Sequence, residues 1–194
     1  MLFGGRFIAL GYEEAIVPAI WSQSSFDRKA ATPEIAGQMW TFKDKGDRDV
    51  CLIPEATAIF QEMAQSKAVR GERRFFYIAR CYRYERPQAG RYREFTQLGA
   101  EILNPKAGPG PAAALARADC EAALAALGLD PSSLAWNGSA KRGLGYYLGG
   151  VGFEATCPLL GAQAQVVGGG AYEEGAGFAI GLDRALLAMG KSVE

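Results

Sequence analysis

The sequence contains no histidine among its 194 residues, which excludes imidazole as an acid–base catalyst and rules out most zinc sites. Its four cysteines (Cys51, Cys81, Cys120 and Cys157) lie far apart and form no CxxC pair, so neither a zinc knuckle nor a dithiol redox motif is predicted. Such cysteines favour reduced, buried thiols in a cytoplasmic protein. The N-terminus has neither a long apolar run nor a cleavage-like site, so we expect no signal peptide and no membrane span.

The chain also lacks net charge, because 21 Lys and Arg residues balance 21 Asp and Glu residues. No general basic surface is therefore available for nucleic acid, and any contact with RNA must be local. Apolar residues make up 49% and aromatic residues 11% of the chain, which excludes a disordered or fibrous class. The length predicts a single domain, residues 1–194, with a sizeable core.

Arginine, by contrast, is concentrated around one stretch, Arg80–Glu101, which reads RCYRYERPQAGRYREFTQLGAE. Two apolar runs, Phe75–Tyr84 and Phe95–Leu103, flank the polar segment Glu85–Glu94 and predict a long hairpin with a charged loop. Guanidinium groups suit phosphate and carboxylate, so this surplus indicates an anionic ligand. Spacing alone leaves a strand pair with solvated outward charges equally open.

The rest of the chain predicts a mixture of helices and short strands. We expect helices over residues 2–10, 55–65, 112–127 and 177–189, strands over 12–17, 40–44, 50–54, 146–155 and 162–170, and a loop over 131–141. In the third helix an apolar stripe is predicted through Leu115, Ala118 and Ala122 to Leu129, with Gly128 as C-cap. This order predicts an α+β fold, with a mostly antiparallel sheet flanked by helices.

Five segments, in order along nearly the whole chain, resemble the catalytic core of the class II aminoacyl-tRNA synthetases, and within that class the histidyl-tRNA synthetases. The segments are GYEEAIVPAI, CYRYERPQAGRYREFTQLGAE, RGLGYYLGGVGFEA, GAQAQVVGGGAYE and GFAIGLDRALLAM. The resemblance implies the antiparallel class II sheet. It also implies a homodimer whose interface contains the first-motif segment around Pro18.

The resemblance further implies amino-acid activation with ATP and Mg²⁺, in which the amino-acid carboxylate attacks the α-phosphate and pyrophosphate leaves. Arg83 matches the second-motif arginine, which binds the α-phosphate and the substrate carboxylate. Arg142 matches a second α-phosphate arginine, and Arg184 matches the third-motif arginine near the γ-phosphate. Charge builds on phosphoryl oxygens in this step, so placed cations would supply most of the catalysis.

Three further residues of the hairpin are assigned to ATP by the same resemblance. Glu85 would accept the adenine amino group, Phe95 would stack on the adenine ring, and Arg91 would reach the terminal phosphates. No protein metal ligand is expected beyond Mg²⁺ carried on ATP.

The amino-acid side is implied by a second group of residues. Glu55 and Thr57, in PEAT, resemble the PEGT loop that holds the α-amino group, with Gln97 beside it. Gly169 and Gly170 match the glycine-rich strand, whose backbone would approach the amino acid.

Glu101 and Tyr147 resemble the pair that reads the two nitrogens of an imidazole ring, which makes histidine the expected amino acid. Glu101 lies four residues after Gln97 and is therefore expected on the same face of a strand. The alternative for Glu101 is a buried acid paired with an arginine. For Tyr146 we expect ordinary packing in the sheet.

Some positions depart from the family pattern. They are Gly145 in place of aspartate, Ala171 and Ile53 in place of arginines, and Ala56 in place of glycine. Between Asn104 and Lys141 there is no room for the family's insertion domain, and we expect no anticodon-binding domain after Glu194. These absences argue against ordinary tRNA charging. They leave open a non-catalytic histidine sensor, similar to the regulatory subunit of ATP phosphoribosyltransferase, and a dimeric scaffold without a ligand.

Overall fold

A computed structural model describes residues 2–27 and 33–191 of the protein. The described helices are α1 Leu2–Ala9, α2 Gln23–Asp27, α3 Pro33–Ala36, α4 Thr57–Gln65, α5 Pro109–Leu127 and α6 Leu182–Ala188. The described strands are β1 Glu13–Glu14, β2 Ile20–Ser22, β3 Trp40–Lys43, β4 Asp49–Leu52, β5 Arg73–Tyr82, β6 Glu94–Leu103, β7 Ala135–Lys141, β8 Val151–Thr156, β9 Gln165–Tyr172 and β10 Gly175–Gly181. Short 3-10 turns occupy Pro131–Ser133, Leu148–Gly150 and Pro158–Gln163.

Seven strands form the main sheet, in the order β1-β5-β6-β10-β9-β8-β7. Its neighbouring pairs are antiparallel except for β1 and β5, which confirms the predicted α+β fold with a mostly antiparallel sheet. The arginine-rich hairpin is confirmed as β5 and β6, in register from Arg73 opposite Leu103 to Tyr82 opposite Glu94. The predicted strand pair around KGDRD is also present, as β3 and β4 of a separate three-stranded sheet.

Apolar side chains are buried in two clusters on opposite faces of the main sheet. Phe76 belongs to the cluster beneath α1 and α5, whereas the next residue, Tyr77, belongs to the cluster beneath α4. This division follows from the strand geometry, because successive side chains point to opposite faces. Gln97 and Glu101 lie opposite Ala79 and Phe75, so both belong to the α4 face, as predicted.

The prediction of a helix over residues 177–189 is wrong in its first half. Residues Gly175–Gly181 form β10, and the helix begins only at Leu182. Strand β10 lies between β6 and β9 and is buried on both faces, so its sequence shows no alternation of polar and apolar residues. A continuous apolar run of this kind fits a helix as well as a buried strand.

Two further local predictions are corrected. Residues 131–141 are not a loop, because β7 pairs with β8 as an edge strand whose largely exposed side chains give no apolar pattern. Helix α5 ends at Gly128 as predicted, with φ +91°, but Leu115 and Ala118 lie outside its buried face. Its buried positions are Ala112, Ala116, Asp119, Cys120, Ala123 and Leu124. Alanine around most of the helix leaves the sequence without a clear apolar stripe.

Candidate active site

A cavity of about 320 Å³ opens on the α4 face of the main sheet. Its walls come from the β5–β6 hairpin, the segment before α4, residues 141–147, strand β9 and the start of α6. Ten predicted site residues line it, namely Glu55, Thr57, Arg83, Glu85, Arg91, Phe95, Gln97, Arg142, Tyr147 and Arg184. These ten residues come from four separate parts of the sequence, which therefore meet at one site.

Three guanidinium groups gather at one end of the cavity. The pKa of Arg184 is lowered by burial first and then by the charges of Arg83 and Arg91. Arg184 is held in place by its Nε, which donates to the Gly90 carbonyl at 2.7 Å, and by Nη1, which donates to the Gln165 carbonyl at 2.9 Å. Clustered like charges repel, so this end of the cavity favours an anion.

The other two arginines of this cluster are held by hairpin residues and by the segment before α4. Arg83 Nε donates to the Pro54 carbonyl at 3.0 Å, and its guanidinium lies 5.1 Å from the centre of the Phe95 ring. Arg91 forms an ion pair with Glu85 across the hairpin loop. The hairpin therefore supplies cations and an aromatic face to the same part of the cavity.

Arg142 reaches the cavity from the segment after β7. Its guanidinium lies 5.2 Å from the centre of the Tyr147 ring, and Nη1 lies 3.6 Å from Glu154 Oε2. Its Nε is buried and has no hydrogen-bond partner among the described residues. An unpaired buried donor costs roughly 1–3 kcal/mol. Arg142 lines the cavity, so its positive charge also favours an anionic ligand.

A buried carboxylate, Glu55, faces the cavity beside these cations. It accepts hydrogen bonds from the backbone N–H groups of Thr57 at 2.8 Å and Ala58 at 2.9 Å, at the first turn of α4. Burial raises the pKa of Glu55, and these hydrogen bonds together with the charge of Arg83 oppose the rise. The Tyr146 hydroxyl lies 3.4 Å from Glu55 Oε2 and also lines the cavity, so Tyr146 does more than pack in the sheet.

Glu101 does not line the cavity and is fully buried beneath its floor. Its carboxylate accepts hydrogen bonds from Thr57 Oγ1 at 2.7 Å, Tyr172 OH at 2.7 Å and Tyr77 OH at 3.4 Å. The alternative of an arginine partner is wrong, because its observed partners are hydroxyls. Burial raises the pKa of Glu101 from 4.5 to about 8, opposed by these hydrogen bonds and assisted by the charge of Glu55.

The sequence argument missed Tyr77 and Tyr172 as parts of this site. Tyr77 lies on β5, next to the strand of Glu101, and Tyr172 lies on β9, on the far side of β10. Both are almost completely buried, at 0% and 1% exposure. The sequence signal that could have indicated them is glycine within a strand, which leaves room for a bulky neighbouring side chain. A Cβ at Gly99 would lie 2.3 Å from the Tyr77 hydroxyl, and one at Gly177 would lie 1.8 Å from Glu101 Oε2.

Gly169 and Gly170 do not line the cavity either. The part of β9 that does so is residues 165–168. A Cβ at Gly169 would lie 2.4 Å from the Phe153 ring, and one at Gly170 would lie 2.8 Å from the Tyr147 ring. These glycines make room for neighbouring aromatic rings. Their predicted contact with the amino acid stays a prediction.

Within residues 2–27 and 33–191, no helix is long and apolar enough to cross a membrane. Over the same ranges, no three His, Cys, Asp or Glu side chains lie together in an arrangement that could hold a metal ion.

Comparison with known proteins relates this arrangement to one family. The family model described as histidyl-tRNA synthetase matches residues 4–130. The histidine–tRNA ligase of Archaeoglobus fulgidus is 42% identical over 97 residues, which cover 49% of this chain and 24% of the relative. That of Methanosphaerula palustris is 28% identical over 280 residues, covering 93% of this chain and 68% of the relative. The match to the Archaeoglobus fulgidus protein thus spans only about a quarter of that protein's length.

Solved structures agree on the fold. The apo histidyl-tRNA synthetase of S. aureus superposes with a TM-score of 0.69 at 22% identity, covering 98% of this chain and 65% of that one. PylSc, a pyrrolysyl tRNA synthetase of Desulfitobacterium hafniense, gives a TM-score of 0.68 at 18% identity, over 97% and 65% of the two chains. The fold is therefore that of class II synthetase catalytic domains. Because the family match spans more than half of the sequence, the chain belongs to the histidyl-tRNA synthetase family.

Proposed function

We propose that this chain activates histidine with ATP and Mg²⁺, forming the aminoacyl-adenylate and pyrophosphate. The observation that carries the proposal is one cavity in which three clustered guanidinium groups adjoin a buried carboxylate. An amino acid and a nucleoside triphosphate need this combination, because one end of the pair carries phosphates and the other an ammonium group. Membership of the histidyl-tRNA synthetase family supports the same reading.

The ATP side fits the residues that are present. Arg83, Arg91 and Arg184 would bind phosphate oxygens, and Arg142, which also lines the cavity, would add a further guanidinium. Such placed donors stabilise charge as it develops on the reacting phosphoryl group. Mg²⁺ would be held chiefly by the phosphates themselves, as is usual for this ion.

Adenine would lie against Phe95, whose ring already has the Arg83 guanidinium 5.1 Å from its centre. Glu85 would accept the adenine amino group, which requires it to exchange its ion pair with Arg91 for this contact. The same exchange would release Arg91 toward the terminal phosphates. ATP binding is therefore proposed to rearrange the hairpin loop locally.

The amino-acid side is assigned to the floor of the cavity. Glu55, already fixed by two backbone donors, would bind the α-ammonium group together with Thr57 and Gln97. Tyr147 would donate to or accept from one imidazole nitrogen, and Glu101 would act on the other from beneath the floor. Since Glu101 is fully buried, contact with the ring requires movement of the hydroxyls that now cover it.

ATP–pyrophosphate exchange with a panel of amino acids tests the proposal without requiring an acceptor. We expect exchange that depends on histidine and is negligible with the other amino acids. Histidine binding by calorimetry without any exchange would contradict the proposal and favour the histidine-sensing alternative. Exchange that depends on another amino acid would support the chemistry but reject histidine as the substrate.

A further inference from the structure

Two glycines on neighbouring strands leave an open groove on the cavity side of the main sheet, and Arg142 lies in it. A Cβ at Gly168, on β9, would lie 2.2 Å from Arg142 Nη2. A Cβ at Gly152, on β8, would lie 3.1 Å from Arg142 Cγ. The path of the arginine side chain across the sheet is thus set by the missing side chains.

The register of the sheet places Glu154 at the end of this groove. Glu154 lies directly opposite Gly168 in the β8–β9 pair and two residues after Gly152, so all three positions face the same side. Glu154 Oε2 lies 3.6 Å from Arg142 Nη1, and the two side chains are only 28% and 10% exposed. Partial burial strengthens an ion pair relative to one in water.

The remaining surroundings of Arg142 leave one side of the guanidinium unpaired. The Tyr147 ring lies 5.2 Å from it, and Nε has no hydrogen-bond partner within the described part of the chain. Glu154 therefore anchors the Nη1 side of an arginine that lines the cavity. Fixing a cation before its substrate arrives is a general route to electrostatic catalysis.

We propose that Glu154 is a positioning residue, which holds the Arg142 guanidinium over Gly168 so that this cation meets the reacting phosphate. This inference rests on the proposed function, because that function places Arg142 at the phosphate. Glu154 itself need not touch the substrate. Its contribution to catalysis should therefore vanish when Arg142 is absent.

A double-mutant cycle on the exchange reaction tests this dependence. Glu154→Gln keeps the side-chain size but removes the charge, and we expect kcat to fall about 10-fold while KM for histidine stays within about twofold. In an Arg142→Ala background the same change should have almost no further effect. Glu154→Asp, which retains the charge, should recover part of the lost rate. Additive losses, or an unchanged kcat in Glu154→Gln, would overturn the proposal.

A chemical readout separates this inference from the proposed function. Phenylglyoxal modification of the folded protein, mapped by peptide mass spectrometry, reports directly how well Arg142 is held. We expect Arg142 to be modified several-fold faster in Glu154→Gln than in the wild type. The matched control is Glu121→Gln, which breaks an ion pair with Arg117 on α5, outside the cavity, and should leave the rate unchanged.

Equal modification rates in the wild type and Glu154→Gln would reject the positioning role whatever the exchange assay shows. If the wild type shows no exchange, the proposed function fails, and a faster modification of Arg142 in the variant still supports the contact. The two failures are thus distinguishable.

Discussion

At the scale of single residues, Glu101 combines complete burial with partners that are all hydroxyls. Burial in such an environment solvates a carboxylate poorly, which is why the pKa of Glu101 rises to about 8. Protonation of Glu101 therefore affects the stability of the fold. It also affects how the floor of the cavity can contact an amino acid.

Replacing Glu101 with glutamine tests its proposed part in histidine selection. Glutamine keeps the shape but cannot ionise or exchange a proton with an imidazole nitrogen, so we expect KM for histidine to rise about 10-fold. KM for ATP should stay within about twofold. Both constants come from pyrophosphate exchange, and equal increases in the two would contradict a specific role for Glu101 in reading the amino acid.

The Glu101→Gln variant also isolates how Glu101 makes the free energy of unfolding depend on pH. Between the ordinary pKa of 4.5 and the folded value of about 8, the folded state binds more protons than the unfolded state. The stability contributed by Glu101 is therefore fully present below the lower value and is lost as pH rises through the upper one. Urea unfolding of both proteins should show the wild type losing about 1 to 3 kcal/mol relative to Glu101→Gln between about pH 5 and 8. A constant difference would show that Glu101 titrates normally.

Arg83 offers the sharpest test of the cation cluster. Its guanidinium lies between the Pro54 carbonyl and the Phe95 ring, and Arg83→Ala should lower exchange at least about 100-fold by removing a donor to the reacting phosphate. The control is Arg80→Ala, three residues earlier on β5, because Arg80 is exposed, pairs with Glu94 and lies outside the cavity. Circular dichroism should show both variants folded. Undiminished exchange in Arg83→Ala would show that the assignment is wrong.

At the scale of elements, helix α6 joins the hairpin to the rest of the sheet. Asp183, in its first turn, accepts a hydrogen bond from the Thr96 N–H on β6 at 2.8 Å. The next residue, Arg184, donates to the Gly90 carbonyl in the hairpin loop and to the Gln165 carbonyl on β9. The start of α6 therefore fixes the loop that carries Arg91 relative to the strand that carries Gly168.

Strand β10 matters because one of its glycines, Gly177, faces the buried carboxylate of Glu101. A Cβ at Gly177 would lie 1.8 Å from Glu101 Oε2 and 2.7 Å from the Ala100 carbonyl oxygen, so Gly177→Ala must displace either the carboxylate or the strand. We expect a loss of about 2 to 4 kcal/mol in the free energy of unfolding. Gly110→Ala is the matched control, since its Cβ would meet nothing within 4 Å in the first turn of α5.

Thermal or urea unfolding distinguishes the two glycine variants. The Gly110→Ala protein should match the wild type or gain up to about 1 kcal/mol, because alanine favours the helix. A Gly177→Ala protein as stable as the control would mean that Glu101 has room to move, and that the three hydroxyl groups bound to it are not tightly packed.

The elements also show where local sequence is sufficient. The β5–β6 hairpin was predictable because its apolar runs are long and its loop is polar, and both features act over neighbouring residues. Strand β10 was not predictable. It lies between β6 and β9 and is buried on both faces, which removes the alternation of polar and apolar residues on which a strand prediction depends. The prediction for edge strand β7 was wrong for the opposite reason, because most of its side chains are exposed and no apolar pattern marks it.

At the scale of the whole molecule, the first-motif segment leaves apolar side chains uncovered. Ile16 is 94% exposed and Ile20 is 50% exposed, on either side of Pro18. Exposed apolar residues clustered in this way favour an interface, and the family resemblance implies a homodimer here. We propose that a second copy of the chain covers this segment.

Sedimentation of Ile16→Glu tests the dimer. A charge at the centre of an apolar interface is costly, so we expect the wild type to sediment as a dimer and the variant to dissociate at least about 10-fold more readily. Leu159→Glu is the control, because Leu159 is 86% exposed in a different part of the chain. A monomeric wild type, or an unchanged dimer in Ile16→Glu, would contradict this interface.

The sequence by itself determined the chemistry available to this protein: the arginine-rich hairpin, the absence of histidine and the ordered segments that resemble a histidyl-tRNA synthetase. These are properties of neighbouring residues, and local periodicity and turn residues report them directly. Ten predicted site residues then proved to line a single cavity.

Only the tertiary structure decided how these groups face one another. Thr57, Tyr77 and Tyr172 meet on Glu101, and Arg142 lies over Gly168 beside Glu154, although the residues in each set are far apart in the chain. Such contacts follow from the order and register of strands in the sheet, which depend on long-range pairing and burial. No local pattern in the sequence carries that information.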